Sequence, residues 1–318
     1  MKRRLLTYTL LTLASLAFFS CKKDDDDTTT KPYLYGINFD LPTFARPGDV
    51  INLEPYGVYT EDGKELETIT YKWKVNSDEY VEAEGYVFTP AAVGNYTITC
   101  QASDPESNYY AVSTAKIIIV IDPVMGKTLT GNGINPVLDD HISDLRGTAG
   151  ESEYYIAQIG NLEWFRNNLT WTGSGLAYEN ADVTSYPIGR YYTWEEAMNA
   201  CPEGWRLPTD DEWASLGTDA GPLMCDAYLN SKRMWEYWPA APRTNETRLG
   251  IIPSGYALAA LTAPAYLGLY DYAAFWTATE SGTDARMAAY RYIYVEENDV
   301  KTGYGDKQSL ALSVRCVR

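Results

Sequence analysis

Histidine is almost missing from this sequence: His141 is the only one in 318 residues. A lone imidazole removes the commonest route to a zinc site or a paired acid–base centre. Because His141 lies among acids in Leu138-Asp139-Asp140-His141-Ile142-Ser143-Asp144, a solvated surface position is expected for it. Positive charge is also scarce, with 26 Lys and Arg against 43 Asp and Glu and a net charge of -17. Such a chain repels polyanions, and no basic stripe with interleaved aromatics offsets this, so nucleic acid is excluded as an expected partner. There is no glycine-rich phosphate loop, no G-x-S-x-G elbow, no zinc-protease pair and no spaced calcium-loop motif. No cofactor, metal site or catalytic residue is therefore expected. The apolar stretch from Leu5 to Phe19 is too short, and too closely followed by charge, for a convincing spanning helix.

What is present begins with an export signal. Lys2, Arg3 and Arg4 form a basic start, the apolar stretch follows, and the segment ends at Ser20-Cys21. Residues 1–20 are read as a signal peptide that is removed, and 21–32 as a lipidated cysteine, Cys21, with an acidic tether. Two phenylalanines before Ser20 depart from the usual bacterial lipobox. The run Lys22-Lys23-Asp24-Asp25-Asp26-Asp27 resembles the acidic tag of surface-displayed lipoproteins from Bacteroides-like bacteria. That resemblance implies a palmitate-type anchor and the outer face of the cell outer membrane. Loss of Lys2, Arg3 and Arg4 would take the net charge from -17 to -20.

About 300 mature residues exceed one small core and suit two domains. The expected division is 33–123, a linker at 124–150, and 151–318. In the first part, Gly48-Asp49 precedes Val50-Ile51-Asn52-Leu53, Asp62-Gly63 separates strand-like runs, and Tyr71-Lys72-Trp73-Lys74-Val75 alternates large and polar residues. The pattern predicts an all-β sandwich with Trp73 in its core and Cys100 as a buried thiol. Tyr86-Val87-Phe88-Thr89-Pro90 followed by Gly94-Asn95-Tyr96-Thr97-Ile98-Thr99-Cys100 resembles polycystic-kidney-disease-like and bacterial immunoglobulin-like modules, which implies a stalk.

The second part predicts an α+β domain with two short capped helices. Thr193 with Glu196, and Thr209 with Glu212, have the spacing of capping boxes; the first helix must end before Cys201-Pro202, and the second runs through Leu216. Trp205, Leu207 and Trp213 are expected in the core, Arg206 against a carboxylate, and Asp210, Asp211 and Glu212 at a helix start where the dipole favours acids.

The runs Asn161–Leu169, Tyr191–Leu216 and Ser313–Arg318, with Gly255–Ala260 and Phe275–Glu280, resemble the Fibrobacter succinogenes major paralogous domain family, a C-type-lectin-like group. The resemblance implies that the domain ends meet and that Cys201 pairs with Cys316, leaving Cys225 free or paired elsewhere. The Glu-Pro-Asn, Gln-Pro-Asp and Trp-Asn-Asp triplets of calcium-dependent sugar-binding lectins are missing. The sequence holds 27 Tyr and 9 Trp, and ligand recognition is assigned to aromatics between the shared runs: Trp235, Tyr237, Trp238, Tyr256, Tyr266, Tyr270 and Tyr272. The expected role is a non-catalytic surface lipoprotein that binds a polysaccharide or glycoprotein, with a protein-binding adhesin or a structural subunit of an outer-membrane assembly as the alternative. Gly204–Trp213 also resembles a segment of the formylglycine-generating enzyme family, which would make Cys201 and Cys316 reactive thiols, but that family's later catalytic elements are not evident.

Overall fold

The computed structural model describes residues 31–123, 127–134, 140–146, 152–235, 240–260 and 262–318. Cys21 and the signal segment lie outside them. Contacts divide the chain into two units, the smaller containing Val50–Thr89 and Tyr96–Ile118 with the residues before Thr43, and the larger containing Thr43–Asp49, Pro90–Asn95 and Ile119–Arg318.

The smaller unit is all β, built of several small, mainly antiparallel sheets. Strand Thr70–Val75 lies between Gly94–Ser103 and Val81–Glu82. Its register sets Trp73 opposite Cys100 and Tyr71 opposite Ala102. Alternation along Gly94–Ser103 turns Ile98, Cys100 and Ala102 inward, all fully buried, because successive strand side chains point to opposite faces. Trp73 packs edge-on to Phe39 at 5.2 Å between ring centroids, stacks with Tyr86 at 5.9 Å, and donates its indole N–H to Ala83 O at 3.2 Å. Its only polar atom is thus satisfied inside the core. Burial pushes the Cys100 thiol up to about 12, which keeps it protonated and unreactive at neutral pH.

The larger unit is α+β. Its main sheet runs Ala265–Leu269, Ser254–Leu258, Tyr272–Glu280, Met287–Tyr294, Lys301–Asp306, with Leu310–Ala311 also paired to Ser254–Leu258. Strand Tyr272–Glu280 is covered on both sides: Ala274 and Trp276 enter one apolar cluster with Trp194 and Trp205, and Ala273 and Phe275 enter another with Trp164 and Trp213. Period-two alternation thus feeds two cores from a single strand. The stretch 124–150, expected as a linker, carries two strands of this unit. Leu129–Gly131 pairs with Ala227–Leu229, and His141–Asp144 pairs with Ser152–Ile159; partners far along the chain hold segments too short to be recognised locally. His141 is exposed, on the edge of that second sheet, beside the ring of Tyr155.

Both capping boxes form. Thr193 and Glu196 cap helix Trp194–Ala200, which buries Trp194, Ala197 and Ala200 on one face; Thr209 and Glu212 cap Asp210–Ala214, which buries Trp213. The second helix ends at Ala214, before the expected Leu216. Asp210 receives Arg291 at 2.6 Å, so this acid serves an ion pair at the helix start. Arg206 meets Glu212 at 2.5 Å. Its guanidinium, opposed by partial burial and helped by the Thr209 amide, holds the Glu212 carboxyl at about 2. A carboxylate depressed in the folded state stabilises the fold above its unfolded value near 4.5 and loses that contribution as pH falls toward 2. Glu212→Gln is expected to flatten the acid side of the stability profile in this window while lowering stability at pH 7, read from thermal unfolding at successive pH values; parallel wild-type and variant profiles from pH 2 to 7 would contradict it.

The end of the chain runs beside the segment Glu163–Leu169. Glu163, Phe165 and Leu169 donate their backbone N–H groups to Arg318 O, Cys316 O and Val314 O at 3.0, 2.9 and 2.9 Å, and Val317 exchanges two backbone hydrogen bonds with Arg206. Cys316, fully buried, is bonded to Cys201 across a sequence separation of 115.

Candidate functional site

The site grows from the Met287–Tyr294 strand. Tyr290, Tyr292 and Tyr294 alternate along it and so share a face, with Trp276, Ala274 and Tyr272 opposite them on the neighbouring strand. Tyr256, from Ser254–Leu258, reaches Tyr272 edge-on at 5.4 Å; Tyr272 stacks on Tyr292 at 5.3 Å and lies 6.3 Å from Tyr294; Tyr290 lies 5.7 Å from Tyr292. All five tyrosines are half-buried. They form a continuous aromatic surface in which Tyr256, Tyr272, Tyr290 and Tyr292 pack against the core around Trp276 and Tyr294 packs against the cluster of Trp164, Trp213 and Phe275.

Glycine makes room for this surface on the next strand. Gly303 stands opposite Tyr290, and a Cβ there would sit 2.3 Å from the Tyr290 ring carbon that bears the hydroxyl. No residue with a side chain could occupy the position without moving that ring. At one end, Lys301 pairs with Glu297 at 3.2 Å and Asp299 at 3.5 Å.

Burial raises the phenol of Tyr272, with Tyr290 adding to the shift; burial and then the Glu297 charge raise Tyr292, and burial followed by Glu296 and Asp271 raises Tyr294. These three phenols are therefore neutral at physiological pH and offer hydroxyl donors and acceptors beside apolar ring faces. Such a surface can stack on a flat apolar face and hydrogen-bond its rim. Among the described residues, no three His, Cys, Asp or Glu side chains converge as a metal site.

The residues expected to bind ligand separate into different places. Tyr256 and Tyr272 belong to the aromatic surface. Tyr266 joins another group, 5.4 Å from Tyr178 and 6.1 Å from Tyr191, and donates its hydroxyl to Asn180 at 2.7 Å. Tyr270 has the ammonium of Lys232 over its ring at 3.8 Å. Trp235 is not available to a ligand: it is fully buried, and its indole N–H donates to Cys225 O at 3.0 Å, so its hydrophobic area is spent on packing within the domain. Tyr237 and Trp238 lie outside the described residues. Tyr290, Tyr292 and Tyr294 were not among the expected residues, although the Tyr-x-Tyr-x-Tyr spacing is the signal of one strand face.

The expected core positions hold: Trp205, Leu207 and Trp213 are all buried. Cys225 is a buried free thiol, hydrogen-bonded to Asn132 and pushed up to about 12 chiefly by burial. No curated protein matched the chain. The model of the Fibrobacter succinogenes major domain matches residues 157–318, a span that holds the capped helices, the disulfide, the threaded C-terminus and the tyrosine surface. The chain belongs to the Fibrobacter succinogenes major domain family.

Proposed function

We propose that this protein is a non-catalytic surface lipoprotein whose C-terminal domain binds a polysaccharide or glycoprotein through the face formed by Tyr256, Tyr272, Tyr290, Tyr292 and Tyr294. The observation that carries the reading is the half-buried state of these rings in one contiguous surface. Rings anchored in a core lose little freedom on binding, while their exposed parts supply stacking area and hydroxyls. In this reading the β-rich N-terminal unit is an immunoglobulin-like or PKD-like stalk, the C-terminal domain is C-type-lectin-like, and Cys21 carries the lipid that holds both at the outer membrane. The absence of the lectin calcium triplets from the sequence supports metal-independent recognition. The bond between Cys201 and Cys316 weighs against a formylglycine-generating-type reaction, which would need them as thiols.

Tyr292→Ala and Tyr294→Ala are expected to weaken glycan binding by about tenfold or more each, the scale of a central aromatic contact, with the unfolding midpoint changed far less than by loss of a buried core ring. Unchanged affinity in both folded variants would move the site elsewhere. Selective capture of a polypeptide through the same tyrosines, with no glycan bound, would support the adhesin or assembly-subunit reading, since tyrosine-rich surfaces also suit protein contacts.

A further inference from the structure

A second feature of the larger unit lies apart from the tyrosine face. A cavity of about 40 Å³ is lined by Arg166, Arg315, Asn167, Asn168, Tyr155 and Ile134, among others. Arg166 is 7% exposed and Arg315 1%. Two buried guanidinium groups at one cavity would ordinarily be matched by carboxylates, because an uncompensated buried charge is strongly unfavourable. Here the described partners are neutral. Arg315 donates to Asn168 Oδ1 at 2.7 Å and to the carbonyls of Phe165, Leu249 and Gly250 at 3.0, 2.7 and 3.2 Å. Arg166 donates to the carbonyls of Arg248 and Gly133, and its Nη1 is buried without an acceptor among the described residues. Burial and the neighbouring Arg166 charge push the Arg315 guanidinium down to about 9. Among the described lining residues the one carboxylate, Asp122, is paired with Lys127 at 3.2 Å.

We infer that this cavity is a binding site for a small monovalent anion, with Arg166 Nη1 as the donor that holds it and Arg315 as the second source of positive potential. The size allows it: one water-sized position needs about 10–15 Å³ on this measure, so the space of about 40 Å³ takes an anion such as chloride or formate. The charge fits as well, since guanidinium is the side chain best matched to carboxylate and other oxyanions. The protein's overall negative charge opposes anion accumulation at long range, so binding depends on these local donors.

The test uses the full chain. At constant ionic strength, the thermal midpoint is followed as formate or chloride replaces a bulky organic anion. The expected result is a saturating rise of roughly 5 °C at about a hundredfold excess over Kd for formate or chloride, and no saturating rise in R166Q. A response to neither small anion, meaning that water alone fills the cavity, overturns the inference, as does an equal response in folded R166Q. If R166Q does not fold, chloride-35 line broadening by the wild-type protein decides: excess broadening reversed by formate supports the site, and its absence refutes it.

Discussion

Removing the Cys201–Cys316 bond by the double substitution Cys201→Ser and Cys316→Ser is expected to lower stability by about 5 kcal/mol in the idealised loop-entropy treatment. The magnitude follows from the separation of 115 residues, since a longer loop gives the unfolded chain more freedom once the link is absent. The location adds to it. Cys316 is fully buried among Tyr154, Phe165, Trp205 and Val314, and its carbonyl accepts the Phe165 N–H at 2.9 Å. A serine hydroxyl there enters an apolar cluster where its hydrogen-bonding needs are hard to meet. The C-terminal segment would then be held beside Glu163–Leu169 by hydrogen bonds and by the packing of Val314 and Val317, and its amides are expected to lose protection first. Calorimetry of the double variant against the oxidised wild type, with hydrogen exchange at the Val317 and Arg318 amides, which donate to Arg206 O and Glu163 O, checks both parts. A midpoint within a degree or two of wild type would contradict the fastening role.

The second large effect belongs to Arg315. Its side chain gathers oxygens from Phe165, Asn168, Leu249 and Gly250, so it ties the opening segment of the domain to a loop more than sixty residues before its end. Arg315→Leu leaves all four acceptors buried and short of a donor. Each orphaned acceptor costs about 1–3 kcal/mol, partly offset because burying a charge is itself unfavourable; a net loss of about 3–5 kcal/mol is expected. Arg315→Lys keeps the charge but cannot span acceptors that a planar fork reaches together, and should fall between the two. Urea unfolding of the three proteins measures this. A leucine variant as stable as wild type would mean that the four hydrogen bonds only balance desolvation.

How much of this could be read from the residues alone depends on the range of the interactions. The capping boxes at Thr193 and Thr209 were legible because cap and partner are three residues apart, and the same spacing sets the start of each helix. The alternation in Gly94–Ser103 was legible for the same reason. Strands Leu129–Gly131 and His141–Asp144 were not, being only three and four residues long and fixed by pairing with distant strands. Trp235 looked like a ligand platform because a tryptophan in a variable, polar stretch carries no mark of its burial; a neighbouring carbonyl, that of Cys225, settles its position. The tyrosine surface was half legible. Tyr256 and Tyr272 were named as isolated aromatics, whereas the alternating Tyr290, Tyr292 and Tyr294 supply most of the face. The buried pair Arg166 and Arg315 left no local signal, since their acceptors come from separate segments.

The central claim is that the tyrosine face binds a glycan without metal, and the most direct test is binding of the protein to a broad glycan panel in calcium and in chelator. Saturable binding that is unchanged by chelator and lost in Tyr292→Ala is the predicted result; no binding to any glycan, or binding abolished by chelator, would contradict it.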